Sequence, residues 1–399
     1  MTQTSVVALG VAQCVNWGVL YYSFAVFVVP LEREMRIPGW AVAGALSLGL
    51  FVSALLAPVV GKWCDRGRGP LVMQSGGFVG GALLILWPLV PHVVGLYVMW
   101  TGLGFSMAAT LYEPAFVVLG RAFKDDQNQR LRALATVTVL GGLASTVFMP
   151  LSALLVARVG WRATAAVLGA LLIGSTAAAR FLAFQRAAAP EQEIDAARVA
   201  PPPELPSGDR SALPLIALTF TFASLASAAF TANLIPALSE QHVSAAAAAV
   251  LGGIMGLMQL PGRALLMFRG VSASPQFLVT LSLGLQACGL ALIALSSSIA
   301  AIAAGTILFA VGGGLMTLLR PHVVGVMFSG GYEGHLNGRI ARLQHLARAA
   351  GPLALAWTAS YAGYSKALTA LSIGFVLVAL AWRGTPESTP VVDMSEEAL

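Results

Sequence analysis

Long apolar runs separated by short polar punctuation set the pattern of this chain. Ala41 to Val60 carries no charged side chain, and neither does Leu71 to Val90. A transmembrane helix needs roughly 20 apolar residues. Twelve segments meet that length: 5–30, 40–60, 71–90, 94–119, 133–157, 161–184, 213–237, 244–268, 275–297, 299–327, 339–362 and 366–383. The pattern therefore predicts an all-α membrane protein with twelve transmembrane helices. It reverses from Gln185 to Ser211, where Pro, Glu, Asp and Arg concentrate and the apolar run is lost. Such a stretch reads as a solvated linker, and it divides the helices six and six. The expected organisation is a six-helix bundle over 1–185, a cytoplasmic linker over 186–212, a second bundle over 213–384 and a cytoplasmic tail over 385–399. The apolar start lacks a basic n-region and continues for a full span, so it is expected to be a first helix and not a cleaved signal.

Composition narrows the class. Of 399 residues, 57% are hydrophobic and only 10% are charged, against about 25% charged in a soluble domain. The net charge of +6 is scattered over short loops, which argues against a nucleic-acid footprint. Fifteen of the 23 Lys and Arg fall on the loops and ends that share a side with the termini, and five fall opposite. The positive-inside rule then places both termini in the cytoplasm. Arg263, Arg320 and Arg348 are left within spans. Cys14, Cys64 and Cys288 lie on separate segments, which indicates neither a disulfide framework nor a metal site. No nucleophile–base constellation appears, so neither an enzyme nor a cofactor is expected. Trp40, Trp87, Trp100 and Trp161 lie near span ends and are read as interfacial anchors.

One polar turn is distinctive. GKWCDRGRGP, Gly61 to Pro70, places Lys62, Asp65, Arg66 and Arg68 between two uncharged spans. It resembles the G-x-x-x-D-R-x-G-R loop of major facilitator superfamily transporters, with the glycine and the second basic residue one position early. Asn16 to Met35 (NWGVLYYSFAVFVVPLEREM), Gly104 to Phe123 and Ala347 to Tyr364 are similar to the first, fourth and eleventh helices of the monocarboxylate transporter group, which includes the oxalate/formate exchangers. The resemblance covers nearly the whole chain. It implies two six-helix repeats, alternating access and a gate at Gly61, Asp65, Arg66 and Arg68, with Asp65 meeting the start of the eleventh helix when the transporter faces outward. It also implies a substrate-binding Arg263 in the eighth span. There the group has Asp-x-x-x-Arg and this chain has Gln259 to Arg263, so the relay acid is missing. Tyr22 stands where animal members carry Lys.

The residues themselves add candidates. Glu113 is the one acid well inside a span, and an ionisable group there is a functional candidate by default. Low-dielectric surroundings would suit it to carrying a proton; an ion pair with a facing arginine is the plainer alternative. Arg263, Arg320 and Arg348 form either a basic cavity wall for an anion or a set of snorkelling side chains. Arg342, His345 and Arg348 recur every three residues and share a helix face, and His345 titrates near neutrality. Gln13 and Asn16 share a face of the first helix, where interhelical hydrogen bonding is the common role. Substrate-binding candidates are thus Arg263, Arg320, Arg348, Tyr22, Asn16 and Gln259. Glu113 and His345 are proton-coupling candidates.

The expected function is secondary transport of a small monocarboxylate-like anion across a bacterial inner membrane, as symporter or antiporter, with or without protons. Its partners are that anion, protons and the lipid bilayer. The expected state is a monomer that binds no nucleic acid. Drug or metalloid efflux is the alternative. The fifth span lacks the Gly-x-x-x-Gly-Pro pattern of drug–proton antiporters, and the cysteines are dispersed.

Overall fold

The computed structural model describes residues 2–89, 92–123, 126–183, 212–268, 274–327 and 333–383, and no strand occurs among them. The expected linker, apart from Ala212, and the expected tail lie outside the described residues. The first pass is built from α1 (Gln3–Trp17), a π-helical turn (Gly18–Tyr22) and α2 (Phe24–Met35). α3 (Gly39–Trp63) and α4 (Gly69–Leu86) follow, and α5 (Val93–Thr110) and α6 (Tyr112–Ala122) share the fourth pass. α7 (Gln127–Gly142) and the first part of α8 (Ala144–Ala183) make the fifth, and the rest of α8 the sixth. The second half consists of α9 (Leu213–Glu240), α10 (Ala245–Phe268), α11 (Pro275–Leu295), α12 (Ile299–Met327), α13 (Glu333–Ala362) and α14 (Tyr364–Trp382).

Eight helical stretches among the described residues are long and apolar enough to cross a bilayer. Two of them, Gly39–Leu89 with 51 residues and Asn128–Ala183 with 56, are double passes. At about 1.5 Å per residue each greatly exceeds the roughly 30 Å hydrocarbon core. Each breaks at a glycine of positive φ, Gly67 at 78° and Gly160 at 75°, a conformation that costs an L side chain strain. α10, with a shorter apolar run, and the arginine-bearing α13 complete the twelve passes. The displaced glycine of the charged turn is thus the residue that turns the chain.

Apolar faces explain how the rods pack. Phe24, Phe27, Trp87, Trp100, Trp161 and Leu168 lie in one core, and Phe220, Phe230, Phe309, Phe375 and Trp382 in another. Trp87, Trp100 and Trp161 are therefore not interfacial anchors as the sequence suggested. Trp87 is fully buried, with ring centroids 5.5 Å from Phe27, 6.3 Å from Trp100 and 5.2 Å from Trp161. The contacts with Phe27 and Trp100 are edge-on, and such pairs add about 0.5–1.5 kcal/mol each beyond area burial, which draws the indoles inward. Trp40 remains exposed.

Hydrogen bonds join the two halves on the side of the cleft away from the 61–70 turn. There Leu353 N–H donates to Ser47 Oγ at 3.0 Å, joining α13 to α3. Thr146 Oγ1 donates to the Gly253 carbonyl at 2.8 Å, joining α8 to α10. Ala25 and Val26 of α2 sit in the core of the second half beside Leu234 and Leu238 of α9. Within each half an acid ties the first and last passes at that same end. Glu34 of α2 accepts from Trp161 Nε1 at 2.6 Å and pairs with Arg162. Glu240 of α9 accepts from the Tyr364 N–H at 2.9 Å. Toward the 61–70 turn, residues of α3, α6 and α13 line a cleft.

Candidate functional site

The cleft owes its shape to a helix break that the residues themselves require. Leu111 is extended, with φ −73° and ψ −163°, so the fourth pass is two helices and not one. In a continuous helix the Thr110 carbonyl would accept from the N–H of residue 114. Residue 114 is proline and has no N–H. Two amides of the first helix take the freed carbonyl. Gln13 Nε2 donates to it at 2.6 Å and Asn16 Nδ2 at 3.0 Å, and both side chains are buried. The Asn16 amide N–H₂ is thus committed to the α5–α6 break. Gln13 Oε1 and Asn16 Oδ1 have no partner among the described residues.

The break opens α6 with Tyr112 and Glu113, placing an acid in the first turn, where the helix dipole favours negative charge. Glu113 Oε1 lies 3.4 Å from His345 Nε2 of α13. Its side chain is 54% exposed, so the enclosed low-dielectric setting expected from its depth in the span is corrected to an open cleft wall. Arg348, one turn beyond His345, lines the same cleft, which measures about 640 Å³ with its open mouth included. Trp17, Leu50, Ala54, Ala57 and Gly61 supply other parts of the lining.

Arg320 of α12 is partly buried and lies within electrostatic reach of Glu113, His345 and Arg348. Its Nη1 donates to Gln344 Oε1. Gln344 Nε2 in turn donates to the Phe220 carbonyl at 3.1 Å and to Ser224 Oγ at 2.9 Å, both on α9. Three helices of the second half therefore meet at this amide.

An aromatic wall stands beside the charges. Trp17 has ring centroids 5.1 Å from Tyr112, 5.6 Å from Tyr21 and 6.3 Å from Tyr22. The π turn brings the tyrosines there. Ser23 N–H bonds back five residues to the Gly18 carbonyl at 2.9 Å, and such single π turns recur at functional sites. Tyr21 is buried and within electrostatic reach of Arg348.

Other candidates are placed elsewhere. Gln259 lies where α10 crosses α12, its backbone against Gly314, and is not part of the cleft lining. Arg263 falls within α10, and its side chain lies outside the described residues. In the charged turn, Gly61 lines the cleft, Asp65, Arg66 and Arg68 are exposed, and Arg121 of α6 donates to the Asp65 carbonyl. The structure therefore brings Glu113, His345, Arg348 and Gly61 to one cleft with Arg320 nearby. Trp17 and Gln344 were missed by sequence reasoning. The only signal for the helix break was Pro114, four residues after Thr110.

A sequence model described as the Major Facilitator Superfamily matches residues 9–352. A bacterial homolog of the human lysosomal transporter Spinster, solved inward-facing and occupied, superposes with a TM-score of 0.71 at 14% identity, covering 95% of both chains. A mutant of the nucleoside transporter NupG gives 0.72 at 11% identity, covering 95% of this chain and 98% of its own. The human organic anion transporter MFSD10 (TETRAN) gives 0.64 at 17%, covering 95% and 98%. No curated protein matches the chain in sequence.

Proposed function

Because the chain belongs to the Major Facilitator Superfamily, we propose that it moves a small, monocarboxylate-like organic anion across the cytoplasmic membrane by alternating access. One observation carries the reading: two arginines, Arg320 and Arg348, converge near the cleft on a single acid, Glu113. Two guanidiniums against one carboxylate leave at least one positive charge without a counter-charge among the described residues. A guanidinium offers a planar fork of donors to a carboxylate, and a hydrogen bond to a charged group is worth about 1.5–3 kcal/mol. MFSD10 is described as an organic anion transporter, which agrees with this reading. Spinster-like and nucleoside transporters share the fold, so the fold alone does not select the substrate.

The excess of basic residues on the terminal side supports a cytoplasmic location for both termini. The cleft then faces the cytoplasm, and the Ser47–Leu353 and Thr146–Gly253 contacts form the closed outer gate. Asp65, exposed near the open end, meets the start of α13 when the cleft closes. Alternating access exchanges one set of contacts for the other. Glu113 and His345 form a pair that takes up or releases a proton as the anion comes and goes. Anion exchange without protons is the second reading, and Gln259 in place of the group's relay acid favours it. The resemblance to the monocarboxylate and oxalate/formate group belongs to this proposal. Counterflow in proteoliposomes with a panel of labelled carboxylates, amines and uncharged sugars tests it. Accelerated exchange confined to carboxylates supports the proposal, and exchange confined to amines or sugars overturns it.

A further inference from the structure

Gln344 is the one side chain that touches Arg320 among the described contacts, and its amide is used at both ends. Its oxygen accepts from Arg320 Nη1. Its nitrogen donates to Phe220 O at 3.1 Å and Ser224 Oγ at 2.9 Å. This network fixes the orientation of the amide, because an arginine offers only donors and a backbone carbonyl only accepts. Glutamate at 344 would set a second oxygen against the Phe220 carbonyl. It would also cancel the charge of Arg320. Alanine would leave the guanidinium unheld.

The neutral partner has an electrostatic consequence. Arg320 is partly buried, and its Nε has no partner among the described residues. The acid within reach, Glu113, is already 3.4 Å from His345. A guanidinium in this setting keeps its charge without a paired carboxylate, an arrangement that proteins otherwise avoid because burying a charge is costly. His345, the next residue along α13, faces the cleft and Glu113, while Gln344 faces α9 and α12. One short segment of α13 thus carries both the cleft-facing group and the support behind Arg320.

We infer that Gln344 is a positioning residue that aims Arg320 without neutralising it and so sets the preference of the cleft for anions. This inference rests on the anion-transport reading for its consequence, and on the local geometry alone for its structural content. Gln344 acts through Arg320 and is not itself a substrate contact.

The test has two readouts, made on full-length wild type, Gln344→Ala and Gln344→Glu that elute as single species in detergent. The first is the rate of phenylglyoxal modification of Arg320, followed by peptide mass spectrometry with Arg348 as internal reference. Gln344→Ala should raise the Arg320 rate several-fold and Gln344→Glu should lower it, with Arg348 unchanged. The second is counterflow of labelled lactate. KM should rise about tenfold or more in Gln344→Ala, equivalent to about 1.4 kcal/mol, and further in Gln344→Glu, with kcat changed much less. A purely structural role reverses that order, because glutamate is the closer match in shape. Equal Arg320 rates in the three proteins overturn the inference, as does a KM in Gln344→Glu closer to wild type than that of Gln344→Ala. If the Arg320 rates shift as expected while wild type carries no carboxylate, the positioning role stands and the anion reading falls.

Discussion

The Thr110 carbonyl supplies the sharpest stability prediction. It accepts two buried amide hydrogen bonds because Pro114 withholds the helical one. Gln13→Leu removes one bond, with a net loss of about 0.5–1.5 kcal/mol. The same change also deletes Gln13 Oε1, which is buried without a partner among the described residues. Relief of an unsatisfied buried group returns about 1–3 kcal/mol, so the single variant should be neutral to stabilising by about 1 kcal/mol. Asn16→Leu follows the same arithmetic, since Asn16 Oδ1 is in the same position. The double variant is different, because nothing then accepts the role of donor to Thr110. It should exceed the sum of the singles by about 1–3 kcal/mol, the cost of orphaning a buried acceptor. Pro114→Ala, which restores an N–H at the helical position, should recover most of that excess. Equilibrium unfolding in mixed detergent micelles, followed by helical circular dichroism, compares wild type with these four variants. Simple additivity of the two singles would show that the Thr110 carbonyl needs neither amide, and a Pro114→Ala background that leaves the double variant equally unstable would exclude Pro114 as the cause.

Three further outcomes follow from the geometry. Gly67→Ala, at φ 78°, should cost about 1–2 kcal/mol in the same unfolding assay, and Gly67→Asn clearly less. Cysteines at Ser47 and Leu353, in a chain with Cys14, Cys64 and Cys288 replaced, should be bridged by a short bifunctional methanethiosulfonate, since the Leu353 N–H lies 3.0 Å from Ser47 Oγ and brings the two helices together there; that crosslink should stop transport, and reductant should restore it. Glu113→Gln should abolish proton-driven uptake and spare counterflow; an unchanged pH dependence of uptake would remove Glu113 from the coupling route.

The twelve passes were legible because bilayer thickness imposes a length on every apolar run, and short polar turns mark the reversals. The turn at Gly67 was legible as a charged loop, although its glycine is out of register with the family pattern. Glu113 and Arg348 stood out because charge inside a span is rare. Their convergence was not legible, since α6 and α13 are joined through the fold and not through the sequence. The tryptophans failed for a related reason. A position near a span end suits both an interfacial ring and a core ring, and only the neighbours of Trp87 decide between them. Gln344 gave no signal, because a lone amide on a polar helix face is ordinary until its partners are known. Asn16 was correctly paired with Gln13 on one face, but the carbonyl they share depends on Pro114, almost a hundred residues away.

Anion transport by this chain depends on a guanidinium in the cleft that recognises a carboxylate. Counterflow of a labelled monocarboxylate by wild type and Arg348→Lys in proteoliposomes measures it most directly. Lysine keeps the charge but cannot present a planar fork. Wild type should exchange the monocarboxylate, and KM should be at least about tenfold higher in the variant, equivalent to about 1.4 kcal/mol. Full affinity in Arg348→Lys, with exchange as fast as wild type, would contradict that dependence.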